Sequence, residues 1–266
     1  MSGGRWSRIG LRAATAAVLV FIYVPIALVF IYAFNPNRLA SWPPTGFTLE
    51  WLGRALNNSG LRDAFVTSLL AAAGATTIAL VLGSLAAFAV ARHTFFGRDT
   101  VSFLVVLPIA LPGIVTGMAL STTFGTLGVP LGLATVVIGH ATFCVVIVYN
   151  NVVARLRRTA PSQEEASADL GADTWSTARR ITLPAVRTAL IAGGLLAFAL
   201  SFDEIIVTIF TAGGVQTLPI WIFQNFRIPN QLPVVNVAGM FAILLSIIPV
   251  YIAQRLTTDA GAIRGR

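Results

Sequence analysis

Lysine is absent from this chain of 266 residues, and charge of either sign is sparse, at 11% of the sequence against roughly a quarter in an ordinary soluble domain. Without lysine there can be no phosphate-binding loop of the form G-x-x-x-x-G-K-[ST], so any ATP-driven step needs its nucleotide site on another chain. Cysteine occurs once, as Cys144, which excludes an intrachain disulfide framework. Histidine occurs twice, as His93 and His140. These are too scattered from each other and from Cys144 to suggest a metal site, no H-E-x-x-H is present, and His140 reads as a polar packing residue.

Apolar residues are what the chain has in abundance, at 56% with a mean hydropathy of +0.82. A membrane-spanning helix needs about 20 predominantly apolar residues to cross roughly 30 Å of hydrocarbon. Stretches near 13–34, 64–91, 101–123, 131–154, 185–210 and 233–254 meet that requirement. The expected fold class is therefore all-α: a polytopic membrane protein of about six transmembrane helices, forming one domain over 1–266. The first run follows Arg5, Arg8 and Arg12 and could pass for a signal peptide. A signal's apolar core is only about 7–15 residues and ends at a small-residue cleavage site, whereas this run is uncharged from Ala13 to Phe34 and is expected to stay as a helix.

All 18 basic residues are arginine, and they exceed the acids by eight. That surplus alone would admit nucleic acid as a partner, but the positions of the arginines decide otherwise. Six spans put both termini on one side, and Arg5, Arg8, Arg12, Arg92, Arg98, Arg155, Arg157, Arg158, Arg179, Arg180, Arg187, Arg255, Arg264 and Arg266 share it. Only Arg38, Arg54, Arg62 and Arg227 face the other way. Arginine-rich loops stay in the cytoplasm, so both termini are expected there, and no contiguous basic face for nucleic acid is expected. The outer segment Asn35 to Asp63 carries Trp42 and Trp51 with Pro43 and Pro44, which suits the headgroup level. Pro25, Pro108, Pro112 and Pro249 fall inside spans and should kink or unwind them. Pro108 and Pro112 with Gly113 and Gly117 mark the third span as an irregular pathway wall or a packing kink between helices.

The longest inner loop covers residues 155–184, a length uncommon without a function. Ser162-Gln163-Glu164-Glu165 has the S-x-x-E form of a capping box and predicts a short helix from Gln163, just after Pro161. Gly171 can take the left-handed conformation that ends a helix. A second short helix is predicted from Thr174 to about Arg180 with Asp173 as its cap, and Pro184 suits the first turn of the fifth span.

Glu165-Ala166-Ser167, three residues, Gly171, nine residues, Ile181, one residue, Leu183-Pro184 resembles the EAA motif of the inner-membrane components of binding-protein-dependent ABC importers. The spacing matches throughout, and Ser167 stands where the family pattern has alanine. The resemblance implies that this loop is a coupling helix seated in a groove of an ATP-binding subunit. Its positions here are Glu164, Glu165, Ala166, Ser167, Asp169, Leu170, Gly171, Ile181, Leu183 and Pro184. It also implies the partners: two ATP-binding subunits, a second homologous permease and an extracytoplasmic substrate-binding protein, with ATP and magnesium bound by partner subunits and no cofactor in this chain.

In the fifth span Phe202, Asp203 and Glu204 are candidate pathway residues, because adjacent carboxylates in an apolar setting are costly unless they are paired or face water. Asp203 lies about 28 Å beyond Pro184 along an ideal helix, toward the outer face, where a structural pairing with Arg227 or with backbone donors at a helix end competes with a role in attracting a cation. The run Ser201 to Pro219 followed by Trp221-Ile222-Phe223 resembles the corresponding region of spermidine/putrescine permeases, which makes a polyamine the preferred solute, with iron(III) or another small ion as the alternative. A proton-coupled secondary transporter would use the same carboxylates, but needs no helix for ATPase docking. An intramembrane serine protease is disfavoured because Ser201 has no histidine expected in its half of the membrane to act as base.

Overall fold

The computed structural model describes residues 5–38 and 41–262, with nothing said of the side chains of Arg5, Trp6, Pro229 and residues 257–262; Arg264 and Arg266, counted above, lie outside the described residues. Every regular element among them is helical. In chain order these are α1 (Arg5–Ala33), α2 (Glu50–Leu56), α3 (Ser59–Arg92), α4 (Arg98–Ala110), α5 (Gly113–Thr126), α6 (Leu133–Arg158), α7 (Ser162–Asp169) and α8 (Thr174–Thr177). A π-turn (Ala178–Thr182) leads into α9 (Leu183–Phe202), followed by α10 (Ile206–Thr211), α11 (Leu218–Asn225), a 3₁₀ turn (Pro229–Gln231) and α12 (Leu232–Ala262). Five helical stretches are long and apolar enough to cross a membrane, and α4 with α5 adds a sixth as a bent pair.

Two of the six expected spans depart from a continuous helix. The third is two helices meeting at 105°, because Pro112 supplies no N–H and forces Leu111 into extended backbone, with ψ 142°. The fifth was expected to run to residue 210 and instead stops at Phe202, with Asp203 as its C-terminal cap; the helix resumes only at Ile206. The inner loop is also shorter than residues 155–184. Helix α6 continues to Arg158, and the stretch from Thr174 is continuously helical into α9. The second short helix is thus the foot of the fifth span. Pro184 cannot donate to the carbonyl of Arg180, and the π-turn just before it widens the helix, with Leu183 N–H bonding Ala178 O.

The chain divides into two units, residues 1–62 with 221–243 and residues 63–220 with 244–266. In the first, the apolar window of α1 has none of its residues buried. The outer segment folds back on itself: Trp51 is buried and its indole N–H donates to Asn35 O at 2.8 Å, while Phe34 and Phe47 stack at 5.1 Å. Trp42 is exposed as the headgroup reading requires, but Trp51 is a core residue of the segment.

In the second unit the core lies among α3, α6 and α9, where Ala75, Ala79, Cys144, Val148, Val152 and Ala197 are fully buried. Small residues allow the helices to approach closely, as lipid-embedded packing demands. A Cβ added at Gly83 would lie 2.8 Å from Val145 O and 3.1 Å from Tyr149 N, and one at Gly193 would lie 3.3 Å from Val148 Cα. Helix α4 is pinned to α6 by Ser102 Oγ and Tyr149 Oη at 2.7 Å. Since the backbone of α6 cannot yield at Val145, Gly83→Ala should destabilise the chain by about 1–3 kcal/mol. Gly53→Ala, with nothing within 4 Å of the added carbon, should be neutral or slightly stabilising; survival after graded heating in detergent compares the two.

Candidate coupling loop and pathway site

The inner loop begins where α6 gives way to extended backbone at Thr159, ψ 124°. Pro161 takes helical angles of −59° and −26°, so α7 starts at Ser162, inside the first turn, and no side chain caps it. The predicted capping box of Ser162 and Glu165 is therefore not formed, because proline preorganises the turn one residue early; the neighbouring residue, Glu164, bonds across to the spans. Its Oε1 accepts from Arg92 Nε of α3 at 3.1 Å and from Thr182 Oγ1 of the π-turn at 3.0 Å. Arg92 also reaches Thr159 O at 3.5 Å. One carboxylate oxygen thus ties the loop to two spans.

Gly171 ends α7 as expected, with φ +80°. Gly171 N–H bonds Ala168 O at 2.9 Å and Ala172 N–H bonds Ser167 O at 3.1 Å, the paired bonds of a Schellman turn. Asp173 caps α8 by accepting from Ser176 N–H at 3.2 Å. The side chain and then the N–H of Ser176 hold the Asp173 carboxyl below its ordinary range. A depressed acid keeps its cap ionised above that range and loses it only as pH falls through the lowered value. Ser167, the departure from the family pattern, is buried and its hydroxyl lies 2.9 Å from Thr177 Oγ1, which staples the two limbs of the turn across Gly171.

The remaining loop residues face outward. Glu165, Ala166 and Asp169 are exposed, Leu170 is 89% exposed and Trp175 72% exposed. Trp175, Thr177 and Thr182 carry no role in the sequence reading, and Arg92 counts there only among the inner arginines. An unpaired tryptophan in a polar loop was the one available signal, whereas the other three act through contacts between distant segments. Ile181 is half-buried, and Leu183 and Pro184 are exposed. A cavity of about 350 Å³ lies behind the loop, lined by Arg92, His93, Glu164 and Thr182 among others.

At the other end of α9 the acidic pair separates in role. Phe202 is buried against Phe65 and Phe198, at 5.9 and 6.2 Å, and is a packing residue. Asp203 is exposed at the break. Glu204 is half-buried and its Oε1 accepts from Val207 N–H at 2.9 Å, so it caps α10 as the backbone-donor alternative anticipated. It also lines a cavity of about 180 Å³ with Pro108, Leu111, Gly113 and Thr116. The interruption after α9 and the bend between α4 and α5 therefore meet at one small chamber. His140 is closer than the sequence suggested: its Nδ1 lies 2.8 Å from Ser201 Oγ, because the outer turns of α6 lie beside the last turn of α9. Both residues are buried and line none of the cavities described above.

The family model of the binding-protein-dependent transport system inner membrane component matches residues 79–259. The chain belongs to this family. It is 33% identical over 245 residues to the spermidine/putrescine transport system permease protein PotC of Escherichia coli strain K12, covering 91% of this chain and 92% of that one. To the putrescine transport system permease protein PotI of the same strain it is 35% identical over 216 residues, 78% and 76% of the two chains. Its fold is shared with a bacterial ABC transporter involved in the import of the acidic polysaccharide alginate, at TM-score 0.72 and 16% identity over 97% of this chain and 99% of that one. This permease is thus a multi-pass inner-membrane protein of an ABC importer family whose permease subunits are not themselves enzymes.

The half-buried Arg92–Glu164 pair yields a direct test. Neutralising either partner, as Arg92→Gln or Glu164→Gln, should cost about 1.5–3 kcal/mol, the range for hydrogen bonds to charged groups. The double variant should cost less than the sum of the two, measured as melting of the detergent-solubilised permease.

Proposed function

We propose that this permease forms the translocation pathway of an ATP-driven importer for a polyamine of the spermidine or putrescine type. The observation that carries the solute is the chamber where both interrupted spans meet, with Glu204 on its wall and Asp203 exposed beside it. Irregular backbone at membrane depth is tolerated where it lines a cavity, and half-helix ends around such a gap are where transporters hold charged solutes. Two neighbouring carboxylates suit a solute with ammonium groups spaced along an apolar chain, and the likeness to PotC and PotI over most of the sequence supports the same solute.

Membership of the family supports the following machinery. Residues 1–266 act as one permease domain that pairs with a second, homologous permease. Two ATP-binding subunits hold ATP and magnesium, and an extracytoplasmic protein delivers the solute. The loop from α7 to the π-turn is the coupling element, with Glu165, Ala166, Asp169 and Leu170 on its outward side and Gly171 setting the angle of its turn. Movement of an ATP-binding subunit reaches the membrane only through a stiff contact. The Schellman turn, the Ser167–Thr177 staple and the Glu164 tie to α3 supply that stiffness, and the unbroken helix from Thr174 to Phe202 carries the movement up to the acidic break. The cycle is one of alternating access, with the chamber exposed first outward and then inward.

In vesicles carrying the complete complex, Asp203→Asn and Glu204→Gln should each lower polyamine uptake by about tenfold or more, roughly the loss of one charge-assisted contact. Gly171→Ala places a Cβ on a left-handed residue at a cost of about 1–2 kcal/mol and should raise the ATP hydrolysed per solute carried several-fold. Unchanged uptake in both acid variants would remove the cation reading while leaving the family assignment in place.

A further inference from the structure

The imidazole of His140 is buried, is assigned no role by the pathway described above, and bridges the interruption in the fifth span. His140 stands in the second turn of α6, at 1% exposure. Its Nδ1 is 2.8 Å from Ser201 Oγ, in the last turn of α9, and its Nε2 is 2.7 Å from Thr208 Oγ1, in the first turn of α10. Both hydroxyl residues are buried as well. The two ends of the break are therefore held by a single rigid ring on a neighbouring helix.

The directions of these bonds can be worked out. Thr208 donates its one hydroxyl proton to Glu204 O at 2.8 Å, so toward His140 it can only accept, which places the ring proton on Nε2. Nδ1 is then a bare acceptor, and Ser201 donates to it. The chain of bonds thus runs from Ser201 through the ring to Thr208 and on to the backbone of Glu204, whose carboxylate is fixed in turn by Val207 N–H. A second tie from the same helix, Thr135 Oγ1 to Thr211 O at 2.7 Å, holds the far end of α10.

We infer that His140 is a positioning residue: by fastening Ser201 and Thr208 to α6 it fixes the span of residues 203–205 and hence where the carboxylates meet the solute. The inference rests on the proposed pathway role of that break. His140 touches no solute, and its contribution is the geometry of the gap.

The test uses the complete transporter in vesicles with spermidine as solute, comparing His140→Leu, which removes both bonds, with Ser201→Ala and Thr208→Val, which remove one each, and with His140→Gln, which retains a donor and an acceptor. His140→Leu should raise the KM for uptake about tenfold while lowering the maximal rate less, and His140→Gln should recover part of the loss. A second readout needs no transport. With Cys144→Ala removing the native thiol, the labelling rate of Asp203→Cys by a charged, membrane-impermeant thiol reagent should rise several-fold when His140→Leu is added, because the released segment samples more positions. If either the KM or the labelling rate of the assembled complex stays within twofold of its parent, the inference is overturned. Should His140→Leu fail to assemble, the two single-bond variants decide by the same criteria. Failure of the pathway reading looks different: Asp203→Asn and Glu204→Gln would leave uptake unaltered while the labelling rate still responded to His140→Leu.

Discussion

No backbone group can be left without a hydrogen-bond partner inside a bilayer, and this constraint governs where the spans of this permease stop and resume. A helix that ends in hydrocarbon exposes donors and acceptors that only neighbouring protein groups can satisfy. At the end of α9, a Glu204 carboxylate oxygen takes the Val207 N–H, Thr208 takes Glu204 O, and Thr135 takes Thr211 O. At the bend of the third span, Pro112 has no N–H to satisfy and its carbonyl accepts from Val115 and Thr116 at 2.9 and 3.2 Å. The breaks are satisfied largely by residues already there, which is why they can persist as built structure and frame a chamber.

The same chain is tied to its neighbours at one end of α9 and interrupted at the other. On the cytoplasmic side, Glu164 joins α7, α3 and the π-turn through a single oxygen, and Arg155 Nε donates to Ala185 O at 2.9 Å. A force applied to the loop is therefore shared by α3, α6 and α9 at once instead of bending one helix. Glycine at 83 and 193 lets these helices approach backbone to backbone, so little of a displacement is lost in soft side chains. The interruption at 203–205 is the first place along α9 where the helix can change direction, and it lies beside the two carboxylates.

Much of this was legible in the sequence. Spacing alone located the loop, its glycine turn and the Asp173 cap, because each depends on residues within a few positions of one another. The apolar runs located the spans because crossing a bilayer is a matter of length and composition. What remained hidden depends on where backbone bonds go in three dimensions. Asp203 and Glu204 sit between apolar residues on both sides, so a hydropathy window reads straight across the break. Ser162 has the form of a cap, but the helical angles at Pro161 move the helix start past it. His140 reads as packing in isolation, and only the antiparallel arrangement of α6 and α9 sets it against Ser201. Trp51 had the composition of an interfacial anchor and became a core residue because Asn35 O was placed to receive its indole proton.

Ser167 shows how a departure from a family pattern can be informative. The alanine of the pattern satisfies a demand for small size next to the turn, since Ser167 supplies the carbonyl that Ala172 N–H bonds. Serine keeps the size and adds an oxygen, which in a short exposed turn would ordinarily compete for backbone groups. Here it is buried and directed to Thr177, so the added oxygen bridges to the next helix instead of loosening its own. The pair Ser167 and Thr177 thus strengthens the turn between α7 and α8, and an alanine at either position would remove that bridge without disturbing the turn's backbone bonds.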